Sequence, residues 1–319
     1  MRTPLLALAL CTLAGLSQAQ TWPVKPVRWI IPNSAGSGPD TVTRLAATQL
    51  EQILKQPFLI ENRPGGNFFI AAEATARAAP DGYTIGLGSG VLSAINPNLF
   101  KQLPYDPDKD FDYIAMMVDT VWIMVAAHAS FPANNFAELI QAAKKNPGRY
   151  SYQVTVPVNG MYFRWLSRKL GASLLEVEYK STPTAVQDAL SGRTDIIVNS
   201  ITPYETHIKA GKIKVLGMSP ETPLPGYEKV QKISEVLPNG DMGSWIGLIA
   251  PRGVPPDMVR RLNEAMDRIV RDPEFQKRLL ALGWANRQGA RNPKAMAEHA
   301  LAERARWAEI ARDAGVIPQ

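Results

Sequence analysis

Val27-Arg28-Trp29-Ile30-Ile31-Pro32-Asn33-Ser34-Ala35-Gly36-Ser37-Gly38-Pro39-Asp40 is the stretch whose reading decides the fold. Its first five residues are apolar except Arg28 and rich in β-formers, which suits a strand covered on both faces. Pro32 ends the run and a loop of small residues follows. Pro39-Asp40 then opens a helix. Val42, Leu45, Ala46, Leu50, Ile53 and Leu54 fall on one face of it, and Pro57 stops it.

Strand, glycine loop and helix form one α/β unit, and the pattern recurs. Further strands are expected at 58–61, 83–87, 122–126, 150–154, 174–179, 195–198, 213–217 and 245–250. Asp257 opens a helix through Val259, Leu262, Met266 and Ile269. Asn292-Pro293 opens the last one, with Asn as cap and Pro in the first turn, ending near Gly315. Such alternation predicts mostly parallel sheets. The length of 319 residues suits two α/β lobes. With no repeat, low-complexity tract or long linker, the lobes are expected to share crossover strands near 120–122 and 243–245. Residues 20–121 and 245–319 would form lobe 1, and residues 122–244 lobe 2.

Residues 1–19 stand apart. Arg2 precedes an apolar run from Leu5 to Leu13, interrupted by Cys11 and Thr12, and Ser17-Gln18-Ala19 offers small residues to a signal peptidase. This reads as a secretory signal cleaved between Ala19 and Gln20, which places the mature protein in the periplasm. A membrane anchor would need a run of ~20 apolar residues. Cleavage removes Cys11, the only cysteine, so no disulfide is expected. It also removes Arg2 from 35 basic residues, leaving 34 against 29 acidic, a net charge of +5. That surplus is either a mildly basic surface or an attraction for anionic solutes. The basic residues are scattered, so nucleic acid is not an expected partner.

The sequence assembles no catalytic set. His128, His207 and His299 have no neighbour at metal-ligand spacing, and neither a G-x-S-x-G elbow nor a P-loop occurs. Gly86-Leu87-Gly88-Ser89-Gly90 lacks the full dinucleotide pattern and reads as a turn at a strand end. Neither enzyme activity, metal nor cofactor is expected.

The first loop offers different chemistry. Glycines let a backbone approach a ligand, and a helix start adds free N–H donors and partial positive charge. Residues 33–40 could therefore cradle a carboxylate or phosphate, or could be a plain strand–helix turn with Asp40 as its cap. Other strand ends carry small or polar residues at 88–92, 155–160, 180–184 and 199–202. Ligands of doubly wound sheets sit at such ends.

Several stretches together resemble the substrate-binding proteins of tripartite tricarboxylate transporters, the Bug (Bordetella uptake gene) family. They are Pro26-Val27-Arg28, Ala35-Gly36 with Asp40, Glu61-Asn62-Arg63-Pro64-Gly65-Gly66 and Ala79-Pro80-Asp81-Gly82-Tyr83-Thr84. Ile95-Asn96-Pro97, Leu103-Pro104-Tyr105-Asp106-Pro107, Tyr179-Lys180, His207-Ile208-Lys209-Ala210-Gly211 and residues 245–251 complete the set. The resemblance runs from Trp22 to Gly315. It implies a two-lobed periplasmic-binding-protein (Venus flytrap) fold that closes on a small carboxylated ligand and serves integral-membrane transporter subunits, as a monomer. A ligand sensor presenting its carboxylate to a receptor kinase is the alternative.

The resemblance also implies the site. Asn33, Ser34, Ala35, Gly36, Ser37 and Asp40 would form one grip, and Thr155, Val158, Asn159, Gly160 and Met161 a facing one. Ser89, Gly90 and Val91, then Tyr179, Lys180, Ser181 and Thr184, then Asn199 match further pocket segments. The facing loop departs from the family pattern, being shorter and more apolar through Val158, Met161, Tyr162 and Phe163. Either these residues line a pocket for an aromatic carboxylate or they pack into the lobe core.

Overall fold

The computed structural model describes residues 21–155, 157–219, 224–241 and 245–318. The expected signal segment lies outside them, as do residues 243 and 244 of the second expected crossover.

In chain order, the first sheet receives β1 (Val27–Ile31), α1 (Gly38–Leu54), β2 (Phe58–Asn62), α2 (Phe69–Ala76) and β3 (Thr84–Ser89). A π-helical turn (Val91–Ile95) runs into α3 (Asn96–Leu99), and β4 (Phe111–Val118) follows. The short β5 (Thr120–Val121) leads to β6 (Ile123–His128), α4 (Phe136–Lys145), β7 (Ser151–Val154), α5 (Pro157–Lys169) and β8 (Leu175–Glu178). Then come α6 (Thr182–Leu190), β9 (Ile196–Ser200), α7 (Glu205–Lys209) and β10 (Ile213–Ser219). The chain returns through β11 (Ile246–Pro251), α8 (Pro256–Val270), α9 (Pro273–Ala281), β12 (Trp284–Ala285) and α10 (Pro293–Asp313).

Two five-stranded sheets result, ordered β2-β1-β3-β11-β4 and β10-β6-β9-β7-β8. In the first, β1 runs parallel to β2 and β3, while β11 lies antiparallel between β3 and β4. In the second, β7 runs parallel to β8 and β9, while β6 lies antiparallel between β9 and β10. Each sheet therefore has four strands pointing one way and one inserted against them, next to an edge strand.

The inserted strands are the ones by which the chain enters each sheet from the other. The chain leaves the first sheet at the C-terminal end of β4. It enters the second at the start of β6, which pairs Ile123 with Ser200 at the end of β9. It returns from the end of β10 to the start of β11, which pairs Ile246 with Ser89 at the end of β3. Both crossovers thus connect the C-terminal edges of the two parallel sets. The first is clamped by pairing of β5 with β12, Trp284 against Val121 and Ala285 against Thr120.

All nine strands expected from sequence are present, most within a residue or two at their ends. The expectation missed β4, whose two methionines and preceding acidic run hide a fully apolar core stretch, Ile114–Val118. It also misplaced residues 157–163, read as a loop. They form the first turns of α5. Met161, Tyr162, Trp165 and Leu166 recur at helical spacing, and they are buried with Phe163, Tyr152, Val154, Ile196 and Val198. Val158 packs against the same cluster. The apolar residues that suggested an aromatic pocket are therefore lobe core.

Helix α10 joins the two cores. Its first half places Met296 and Ala300 against Tyr113, Met116 and Trp245. Its second half places Trp307, Ile310 and Ala311 with Tyr162, Trp165 and Leu166.

The burial of Phe163 sets a test. Phe163→Ala is expected to lower the unfolding free energy by about 3–5 kcal/mol, the range for a buried aromatic, in urea titrations followed by circular dichroism. A loss under about 1 kcal/mol would place the ring outside the core.

Candidate ligand site

The loop between β1 and α1 is built around one carboxylate. Ser37, not Asp40, caps α1: its hydroxyl accepts the Asp40 N–H at 3.4 Å. Asp40 sits in the first turn, only 2% exposed. It accepts hydrogen bonds from the Gly36 N–H at 2.8 Å, from Arg44 Nε at 3.0 and 3.1 Å, and from Asn62 Nδ2 at 2.9 Å. Asn62 also donates to the Asn33 carbonyl at 2.8 Å and accepts from Arg44 Nη2 at 3.0 Å. Burial pushes the Asp40 carboxyl up, but its hydrogen bonds from Arg44, Asn62 and Gly36 outweigh it and hold the group below its ordinary range.

This network takes up the Gly36 N–H internally, and φ of +79° at Gly36 makes that turn possible. Ser34 and Ala35 remain exposed at the loop tip. Their N–H groups and that of Gly38 have no hydrogen-bond partner among the described residues. Arg44 and Asn62 were absent from the expected site. The signal for Asn62 was its place in the Glu61–Gly66 motif, directly at the end of β2.

At the end of β3, the Ser89 hydroxyl accepts the Leu92 N–H at 3.4 Å, and the Gly90 N–H donates to the Trp245 carbonyl at 3.4 Å. Val91 begins the following helical turn.

On the second sheet, the Asn199 amide donates to the Thr155 hydroxyl at 2.9 Å, while its oxygen accepts the Ser200 N–H at 2.8 Å. Ser181 caps α6, accepting the Thr184 N–H at 3.4 Å and lying 2.8 Å from its hydroxyl. Tyr179 is engaged away, donating to Asp188 at 2.9 Å. Lys180 is exposed.

Three expected residues face the core instead. Asn159 is buried and donates to the Val198 carbonyl at 3.2 Å. A Cβ on Gly160 would stand 2.9 Å from Val154, so this glycine serves packing. Met161 belongs to the lobe core with Tyr162. All three follow from α5 being a helix that presses one face onto its sheet.

The arrangement gathers helix starts at one edge of each sheet. Helical structure begins after β1, β3, β7, β8 and β9, always at the C-terminal edge. Each start carries partial positive charge, although Pro157, Pro183 and Pro203 have no N–H and the Thr184 N–H is taken by Ser181. The crossovers join those edges: the first loop, Ser89 and Gly90 lie at the edge of the first sheet, and Thr155, Ser181, Thr184 and Asn199 at that of the second.

Residues 42–316 match the tripartite tricarboxylate transporter family receptor. The chain belongs to this family. A relative of this receptor is a UPF0065 protein of Bordetella bronchiseptica, 32% identical over 295 residues, covering 92% of this chain and 88% of that one. Among solved structures, it is similar to an R. palustris protein with adipate, at 27% identity and TM-score 0.81, covering 93% of this chain and all of the other. It is also similar to MatC from Rhodopseudomonas palustris with bound malate, at 29% identity and TM-score 0.75, covering 90% and 99%.

The receptor's first loop predicts a pH signature. Asp40→Asn leaves the Gly36 and Arg44 donors facing an amide, and should cost about 1–3 kcal/mol of stability. The native carboxyl titrates below its unfolded value. Its stabilisation is therefore complete above the unfolded pKa of about 3.9 and is lost as pH falls through the native one. Urea unfolding from pH 6 to 3 should show a shallower acid decline in Asp40→Asn than in wild type. Equal declines would contradict this account.

Proposed function

We propose that this receptor captures a small dicarboxylate in the periplasm and delivers it, without catalysis, to integral-membrane transporter subunits. The observation that carries this reading is the presence of helix starts on both sides of the crossovers. One carboxylate would sit at the first loop and α1. The second would sit against Thr155, Ser181 and Thr184 at the starts of α5 and α6. A ligand with one carboxylate would leave one set of donors unpaired, at ~1–3 kcal/mol per buried group. The bound adipate and malate of the two similar structures agree with a two-ended aliphatic acid.

An aromatic carboxylate is not favoured, because Met161, Tyr162 and Phe163 are buried in the core. The lobes, 20–121 with 245–319 and 122–244, would close about the crossovers as a monomer, with the second half of α10 riding on the second lobe. Export would rest on residues 1–19 and cleavage after Ala19.

Calorimetric titration with adipate, malate, citrate and benzoate tests the ligand class. A dicarboxylate should bind tightest and reduce the radius of gyration in small-angle scattering. Benzoate binding tightest, or no acid binding, would overturn the reading. Gly36→Val forces a β-branched residue to positive φ, costing at least ~1–2 kcal/mol. It should abolish measurable binding while circular dichroism stays native. Lys180→Ala should weaken binding by less than about 1.5 kcal/mol, since the grip comes from main-chain donors.

A further inference from the structure

Between the two cores, one face of α10 becomes polar. His299, Glu303 and Arg306 follow at helical spacing and meet the return crossover. The His299 ring centroid lies 6.3 Å from that of Trp245. Arg306 pairs with Asp241 at 3.5 Å and donates to the Asn239 carbonyl at 3.1 Å. Glu303 Oε2 is buried without a hydrogen-bond partner among the described residues, and so is Trp245 Nε1. Oε2 stands 3.0 Å from where a Cβ on Gly90 would lie, and Trp245 Nε1 stands 3.7 Å from the same point. Gly90 follows β3, at the edge where the dicarboxylate is placed. A buried acid group, with the Trp245 indole N–H beside it, therefore stands directly behind the expected site.

The charges around it are identifiable. Burial dominates and raises the Glu303 carboxyl to about 7, against the Trp245 indole N–H and then Arg306 and Arg291, which favour the ionised form. His299 is pushed the other way, first by burial and then by Arg291, against the pull of Asp119. Arg304 points elsewhere, onto Asp108 and the Ser93 carbonyl. From α5, Lys169 and Arg168 engage Asp313 at the far end of α10.

We infer that Glu303 is a proton-linked partner of the ligand site: it takes a proton from solvent as a carboxylate binds beside Gly90. The inference rests on the site reading above. An anion at that strand end repels a second one behind it, strongly where water is excluded. Binding therefore favours the protonated acid. By reciprocity, deprotonation of the acid weakens binding.

The test is titration with malate and adipate at pH 6 and 8, in buffers of differing ionisation enthalpy. It uses the whole mature protein, wild type and Glu303→Gln, with Glu303→Met as a second variant that removes the proton and fills the space. Wild type should bind about tenfold more weakly at pH 8 than at pH 6 and take up protons near pH 7. The variants should change by less than about threefold and take up none beyond what the acids themselves contribute. A flat wild-type profile, or equal proton uptake in folded variants, overturns the inference and leaves the site reading intact. Failure of both acids to bind at either pH overturns the site reading, and the inference with it.

Discussion

Each sheet of this receptor admits one strand against the direction of the others, and that constraint organises the molecule. An antiparallel strand between parallel ones must begin where its neighbours end. β6 begins beside the end of β9, and β11 beside the end of β3. The chain can therefore pass between sheets only at their C-terminal edges. The same edges carry the loops that follow the parallel strands. Sheet hydrogen bonding thus places the two crossovers and the candidate site residues at the same edges before any side chain is considered. The C-terminal helix completes the arrangement, because it packs into both cores and so spans the same boundary.

Within that frame, the first loop is ordered around a single buried carboxylate. Four donor contacts converge on Asp40: the Gly36 N–H, two distances from Arg44 Nε and the Asn62 amide. A buried carboxylate is costly unless its oxygens are paired, and here the pairing fixes the loop. Since the Gly36 N–H is used internally, the donors left at the loop tip belong to Ser34, Ala35 and Gly38. Main-chain donors held this way cannot swing away as a lysine can.

How much of this could be read from the chain differs by element. β1 was legible to the residue, because Val27, Trp29, Ile30 and Ile31 form a short β-rich run closed by Pro32. The small-residue loop and the motif ending in Gly65-Gly66 also marked the right strand ends. Residues 157–163 were misread because proline, glycine and β-branched valine argue against helix locally, while burial of Met161, Tyr162 and Phe163 decides for it. Propensity is a local quantity, and this helix is held by the sheet beneath it. Arg44 and Asp40 are four residues apart, an ordinary surface-pair spacing. Nothing in that spacing announces that Asn62, from the next strand, closes the network.

The run Gly86-Leu87-Gly88-Ser89-Gly90 was read as a turn, and its real role follows from strand geometry. β3 continues through Ser89, so Gly86 and Gly88 lie on one face, and Gly90 follows in the same alternation. A Cβ at Gly86 would stand 2.7 Å from Thr75, and at Gly88 2.6 Å from Ile249 and 3.2 Å from Trp245. The glycines clear a channel along the sheet for α2 and for the Trp245 indole, whose ring lies 6.2 Å from that of Tyr113 at an interplanar angle of 58°. Because Trp245 leads directly into β11, the packing at Gly88 fixes the exit of the return crossover. Any side chain there would push on β11 itself, through Ile249. The glycines of β3 thus let β11 and the Trp245 indole that precedes it pack directly against the strand.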